Sequence, residues 1–498
     1  MCLVLAFCLV PGARSAGAAI PKTVTARNFF GTMTFDRPLA LVDFPGRDST
    51  YLIVQQSGGM IRVDRRDGVW TKSRFDSAHV TGINGIVNPR GPGEGTPSGT
   101  DNDGGLLGFA FHPDYDSNGR YFISYVSPSY PGGTVYPGTI ILEERRADST
   151  RLTGGRIGYE AGGDSSRILL ALPKPYIYHN GGTLRFGADG YLYAAIGDGG
   201  GSGDPQNRAQ NKGVLFGKFI RIDVDKPDAF AADTLRNYAV PPDNPFVDST
   251  GFLPEIWAYG VRSPWKWSFH PYTGEIWMGD IGQSRYEEVS RVPRGGNLGW
   301  RQREGDFCFN PSSNCASAGL TPPVMTFPSR TYGQSVTGGV FFTGDTGAAF
   351  HRVYIFGDFI RGNIWGLREH MGTLADTALL LNVANVASID KDARGNVFAL
   401  SLRNGDWSRT GVAYILESPD MRQAPEPVNL LDAGAVRGRM TRMRPSISWN
   451  DVRREPGRYV VTGLDGRVFA GIPAGTRTGL YVVKDRVRGT RTLMTVAE

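Results

Sequence analysis

Residues Asp189–Asp198 read DGYLYAAIGD, a polar turn closing on Gly190 followed by an apolar strand that opens on aromatics and ends in an acid. The unit recurs as NGRYFISYV from Asn118, TGEIWMGDIG from Thr273 and RGNVFALSL from Arg394. STYLIVQQ from Ser49 and HRVYIFGD from His351 carry the same strand behind a different turn. Asp, Asn and Gly supply the turn, and alternating apolar residues supply a buried face. Several copies follow another strand, as in GLLGFAFHPDYDSNG, TLRFGADG, WKWSFHPYTG and VASIDKDARG, so the repeating piece is a hairpin. Six such strands, mostly roughly 70 to 85 residues apart, predict an all-β radial array, a six-bladed β-propeller. A β-sandwich with coincidental turn similarity is the alternative. His112 and His270 share the FHP position of the repeat, which marks them as architecture.

The composition agrees. A chain of 498 residues with 67 Gly and 32 Pro suits many short strands joined by turns, and long helical periodicity is missing. The opening MCLVLAFCLVPGARSAGAA has the apolar run and small residues of a secretory signal over residues 1–19. No segment is long enough to span a bilayer as a helix. The propeller is expected over 25–417, a polar, Pro-containing linker over 418–435, and a small C-terminal β-sandwich over 436–498. Beyond the signal only Cys308 and Cys315 remain, in one Pro/Ser/Asn-rich loop. In an exported protein that spacing predicts a local disulfide; a metal pair would lack further thiolates. The net charge of +6 is concentrated at the end: from Asp432 onward there are 13 Lys/Arg against 6 Asp/Glu. Those arginines lack the aromatic platforms of a nucleic-acid binder, so a solvated face is expected and nucleic acid is not.

One stretch carries chemistry. His179 precedes two glycines, and Asp198 ends the strand LYAAIGD. If both reach one rim, the carboxylate fixes the imidazole tautomer and stabilises the imidazolium, the pairing a general base needs. In GDGGGSGDPQNRAQN, the side chains of Asp198, Asp204, Asn207 and Gln210 with glycine-freed carbonyls form a candidate Ca²⁺ enclosure; a plain solvated turn is the alternative.

GGLLGFAFHPDY, HNGGTLRFGADGYLYAAIGDGG, GDPQNRAQN, LFGKFIRIDVD, PEIWAYGVRSPWKWSFHP, GDIGQSRYEEV and GGNLGW together resemble the soluble glucose/sorbosone dehydrogenase family. The resemblance implies a six-bladed propeller that uses pyrroloquinoline quinone (PQQ) and Ca²⁺ to oxidise aldoses and passes electrons to an external acceptor. It implies His179 as the base, Asp198 as its orienting carboxylate, and Arg262 as the cation facing the quinone. Gly282 and Gln283 match positions whose carbonyls hold Ca²⁺, with Glu288, Glu287 and Asp204 as nearby carboxylates. Asp103, Ser263 and Arg361 fall at or beside cofactor-contacting positions. The chain departs from the family at Ser263, Ile281 and Asp103, and has Ile360, Asn385 and Ala387 where cations clamp the quinone's carboxylates. Members that bind hedgehog lack those cations too, which leaves a Ca²⁺-stabilised propeller binding glycan or protein as the non-catalytic alternative. A lactonase-type hydrolase would need more metal-facing carboxylates. The tail LDGRV…GLYVVK resembles C-terminal sorting domains of the gliding-type secretion pathway. That implies a partner in the secretion machinery and a secreted or cell-surface location, with the periplasm as second choice.

Overall fold

The computed structural model describes residues 19–75, 104–129, 135–148, 152–153, 156–157, 160–174, 176, 178–331, 333–344, 348–370, 373–403, 410–421, 459–463, 468–469, 479–485 and 491–496. The expected signal lies outside this set, as do Asp103 and most of the expected linker. Two compact units divide after Pro425.

The first unit is a ring of six four-stranded antiparallel sheets. Blade one comprises Pro38–Asp43, Thr50–Gln55, Met60–Arg66 and Val69–Arg74; blade two Leu106–Phe111, Arg120–Ser129, Val135–Asp148 and Glu160–Lys174. Blade three comprises Gly181–Phe186, Leu192–Ile196, Lys218–Ile222 and Ile256–Tyr259; blade four Pro264–Phe269, Ile276–Asp280, Tyr286–Val292 and Met325–Pro328. Blade five comprises Val336–Phe341, Tyr354–Asp358, Asn363–His370 and Thr373–Asn382. Blade six takes Val386–Lys391, Val397–Ser401 and Val412–Glu417, and its outer strand is Thr25–Asn28 from the start of the chain. That strand pairs Thr25 with Glu417 and Asn28 with Tyr414, closing the ring.

The repeated aromatic strand is the second strand of every blade, and it is buried on both faces rather than on one. The reason is packing between sheets. Apolar clusters fill the spaces between neighbouring blades: Leu52 and Val54 meet Phe109 and Tyr121 between blades one and two, and Tyr193 and Phe219 meet Trp267 and Met278 between blades three and four. Strands buried on both sides read as near-continuous apolar runs. The spacing of the repeats is set by insertions between strands, so blades five and six, with short connections, give the shortest interval.

The FHP histidines are turn supports. His112 Nδ1 accepts the Asp114 N–H at 3.0 Å, and His270 Nδ1 accepts the Thr273 N–H at 3.1 Å. The predicted disulfide is formed, with Cys308 and Cys315 sulfurs 2.08 Å apart.

The first strands of the blades adjoin in a ring around the axis. Each carries a register shift near its second residue, at Pro38/Ala40, Leu106/Gly108, Gly181/Leu184, Pro264/Trp267, Val336/Gly338 and Val386/Ser388. A bulge re-aims the side chains beside it. Leu39, Leu107 and Ala387 consequently cluster with Trp265, and the Trp265 Nε1–H crosses to the Ala387 carbonyl at 2.9 Å. This apolar floor, drawn from blades that are not all neighbours, lies across the channel.

In the second unit, Val468–Phe469, Tyr459–Gly463, Gly479–Asp485 and Arg491–Val496 form one four-stranded antiparallel sheet in that order. The second layer that a sandwich requires is not among the described residues. No helix among the described residues is long and apolar enough to cross a membrane.

Trp267 is fully buried and donates from Nε1 to the Thr183 carbonyl of blade three at 3.2 Å. Trp267→Ala is expected to lower stability by about 3–5 kcal/mol, through the cavity and an orphaned carbonyl. Urea unfolding of the variant beside the parent chain checks the value.

Candidate functional site

The mouth at the N-terminal ends of the first strands is lined by the turns entering each blade and the loops that follow the second strands. His179 sits in the turn entering blade three, with φ +59°. A non-glycine residue seldom holds that conformation without support. Here Gly181 and Gly197 provide room: a Cβ at Gly197 would collide with the His179 carbonyl, and one at Gly181 with the Ala195 carbonyl.

The His179 Nδ1 lies 2.6 Å from Asp198 Oδ1. Asp198 is wholly buried. Its Oδ1 also accepts the Gly200 N–H at 2.9 Å, and its Oδ2 accepts the Trp300 indole N–H at 2.8 Å. Lying against Nδ1, the Asp198 carboxylate keeps the proton of a neutral imidazole there and leaves Nε2 as the basic atom. The Asp198 N–H donates to the Arg262 carbonyl at 2.8 Å, which ties blade three to blade four.

Arg262 lies at the entry to blade four. Its Nη1 donates to the Ile281 carbonyl at 2.8 Å, its Nη2 to Gln283 Oε1 at 3.2 Å, and its guanidinium carbon lies 5.5 Å from the Trp300 ring centre. Its Nε is buried without an acceptor among the described residues. Arg262 and Ser263 N–H groups donate to Asp280 at 2.9 and 2.6 Å. His179, Asp198, Arg262, Ser263, Gly282 and Gln283 are thereby brought to one mouth. Trp300 joins them by touching both Asp198 and Arg262. GGNLGW signals its presence in the sequence, but its partner lies 102 residues away and nothing local reveals the contact.

The glycine-rich loop is held by its own atoms. Asp204 is wholly buried and accepts the Arg208 and Ala209 N–H groups, each at 2.9 Å. Gln210 is paired with Asn297 in both directions at 2.9 Å. Lys218, also wholly buried, donates to the carbonyls of Arg208, Ala209 and Phe216 at 2.9, 3.0 and 2.6 Å. Burial lowers its pKa to about 7. These contacts use the side chains that a Ca²⁺ enclosure within the loop would need. Gly282 has a different constraint, since a Cβ there would strike the Tyr286 carbonyl.

Behind Gly282 and Gln283 lies a buried acidic group. Glu304 Oε1 accepts the Ser284 and Arg285 N–H groups at 2.7 and 2.8 Å, and Glu287 accepts the Val336 N–H at 3.1 Å. Glu288 accepts the Gly305 N–H at 2.5 Å. Burial, then the Asp280 charge, pushes Glu288 up to about 8, and burial raises Asp280 as well. Among the described residues no group of three or more His, Cys, Asp or Glu is arranged to hold a metal. Arg361 stands apart on blade five, exposed, with Nη2 on the Arg330 carbonyl.

The described residues thus form a six-bladed propeller with an imidazole–carboxylate pair and a buried arginine at one mouth. The chain belongs to the glucose/sorbosone dehydrogenase family, whose model matches residues 35–407. Among curated relatives it is 35% identical to the HIPL1 protein of Arabidopsis thaliana over 53% of this chain and 44% of that protein. It is 27% identical to the aldose sugar dehydrogenase YliI of Escherichia coli, over 57% of this chain and 64% of that one. It is also 27% identical to the human hedgehog-interacting protein, over 44% of this chain and 28% of that one. The chain thus spans less than half the length of the first of these. Among solved structures, the PQQ-bound aldose sugar dehydrogenase from Streptomyces coelicolor superposes with a TM-score of 0.55 at 20% identity, covering 80% of this chain and all of that one. At that identity the likeness shows the fold.

The raised Glu288 has a consequence for stability. Its neutral form is favoured in the folded state, so its contribution is fully present below the ordinary carboxyl pKa near 4.5 and is lost as pH rises through about 8. Glu288→Gln, which stays neutral, should lose less Tm than the parent between about pH 5 and pH 9. Thermal scans across that range check it; equal pH slopes would count against a buried neutral carboxyl.

Proposed function

We propose that this chain is an exported oxidoreductase that oxidises an aldose sugar or oligosaccharide at the anomeric carbon, with PQQ and Ca²⁺ at the His179 mouth. The observation that carries this reading is the 2.6 Å contact between His179 Nδ1 and the buried Asp198. A carboxylate fixed by two further donors has the arrangement that makes Nε2 a general base.

The donor set suits a quinone at its reacting end. Arg262 Nε is a buried donor without an acceptor among the described residues, and an oxygen carrying partial negative charge would satisfy it. Gly282 and Gln283 would offer carbonyls to Ca²⁺, a hard ion that takes oxygen ligands. When bound, PQQ supplies the acceptor for the hydride that leaves the anomeric carbon. His179 Nε2 removes the proton from the anomeric hydroxyl. Asp198 holds the ring and balances the imidazolium charge, and Trp300 and Gly200 hold Asp198. Arg262 places positive charge where negative charge develops, an electrostatic role suited to a guanidinium. Electrons then pass to an external acceptor, and the C-terminal unit serves as the sorting domain that engages the secretion machinery.

The non-catalytic propeller is the second reading. In its favour, Ile360, where relatives are expected to carry a cation, is 44% exposed, and the sequence matches include the hedgehog-interacting protein. A titration of the full chain with PQQ, with and without Ca²⁺, separates the two. The expected outcome is a saturable spectral change that requires Ca²⁺, with dye reduction on aldoses. His179→Ala should lower that activity by roughly a thousandfold or more while leaving PQQ binding in place. Absence of a PQQ-dependent spectral change would remove the dehydrogenase reading. Trp300→Phe keeps an aromatic ring but removes a donor from Asp198; kcat is expected to fall about tenfold with KM little changed, as steady-state kinetics would show.

A further inference from the structure

The opposite end of the channel is chemically unlike the His179 mouth. The first strands run side by side in one direction, so their C-terminal residues meet at the other opening. From Gly181, two residues after His179, to Arg185 the first strand of blade three advances four residues, roughly 13 Å at the usual rise per residue. Between the two ends lies the apolar floor of Leu39, Leu107, Trp265 and Ala387.

Beyond that floor is a cavity of about 510 Å³, open at one side. The bulges direct polar side chains of three blades into it. Lys266 comes from blade four, Arg185 from blade three, and Lys391 from blade six. Lys266 is 5% exposed, and its ammonium has no hydrogen-bond acceptor among the described residues; the Trp265 ring centre lies 5.6 Å away. An ammonium facing a largely desolvated cavity gains from an acceptor that a ligand supplies. Arg185 donates from Nε to the Trp267 carbonyl at 2.7 Å and faces Asp390 at 3.9 Å. Lys391 Nζ reaches Thr343 Oγ1 at 3.2 Å.

The anionic side of the cavity is weaker. Asp390 Oδ2 is already committed to the Leu41 N–H at 3.0 Å and the Ser388 hydroxyl at 2.8 Å. Asp43 lines the rim beside Asp392, and burial first, then that neighbour's charge, pushes it up to about 7. Burial lowers the pKa of His112, also on the wall, so it adds no charge at neutral pH. Burial lowers the pKa values of Lys266 and Lys391 to about 8 each, which leaves both mainly cationic at neutral pH; with Arg185 they are three basic side chains against the two carboxylates Asp390 and Asp43. Thr183 and Ser268 add hydroxyls, and Phe111, Phe186, Phe269 and Phe341 stand at the ends of four strands as an apolar collar that limits water.

We propose that this cavity binds a small oxyanion of charge near −2, phosphate or a dicarboxylate, whose oxygens supply the acceptor that Lys266 lacks. Arg185 and Lys391 complete the charge, and the Ser268 hydroxyl, which has no partner among the described residues, orients the ligand. The site is independent of the sugar-oxidising reading, because the apolar floor separates it from His179.

Isothermal titration of the full chain with inorganic phosphate and, separately, with succinate tests this at fixed ionic strength in chloride. One of the two is expected to bind with one-to-one stoichiometry and a Kd below about 1 mM. Lys266→Met should weaken that binding at least about tenfold, and Lys391→Gln should weaken it severalfold. Lys391→Gln serves as the second variant if Lys266→Met does not fold. His179→Ala, at the other mouth, should leave the affinity unchanged. The preferred anion distinguishes the two sources of the charge. No heat with either anion up to 10 mM, approximately ten times the expected Kd, would overturn the site. So would undiminished binding to a folded lysine variant, or binding lost in His179→Ala.

Discussion

The bulge in the first strand of each blade is the constraint on which the interior depends. A regular strand would send alternate residues toward the axis, and six such strands would fill the channel with one repeating pattern. The extra residue near each second position breaks that alternation. Leu39, Leu107, Trp265 and Ala387 then meet across the channel, while Thr183, Arg185, Lys266 and Ser268 reach the space beyond. One backbone device, repeated around the ring, gives the propeller two ends with different chemistry.

At the His179 end the organising group is the Asp198 carboxylate. It receives donors from the glycine-rich loop and from Trp300, while its own backbone N–H reaches Arg262. Three chain segments thus converge on a residue with no solvent contact. Lys218 plays a comparable part for the loop, threading a buried ammonium beneath three carbonyls. Groups that look available in the sequence, such as Asp204 and Gln210, are consumed by this internal bracing.

The ring of sheets was legible because its signal is local and repeated. Each second strand carries its own turn and aromatic, and His112 and His270 announce themselves by sharing one motif. The His179–Asp198 pair was legible for a related reason, as both residues lie on one hairpin. Trp300 was not, since its role arises only when blades three and four are set side by side. The raised pKa of Glu288 follows from desolvation and the charge of Asp280, and no spacing in YEEV encodes it. Likewise Lys266 sits in WKW as a plain strand residue until the bulge points it at the axis. In the C-terminal unit the alternation foretold strands correctly, but alternation alone does not tell one layer from two.

The closure of blade six also sets a schedule. Thr25–Asn28 pairs with Val412–Glu417, so the first strand made waits for almost the last strand of the ring. At roughly 5–20 residues per second, a ribosome needs on the order of 20–80 s to supply the partner. Throughout that interval Thr25–Asn28 has no sheet to join, since every other strand of blade six is made at the end of it. Blades one to five can form hairpin by hairpin as they emerge, but the circle is a property of the nearly complete chain. A cell making this protein must therefore keep an unpaired strand from pairing elsewhere until that late strand arrives.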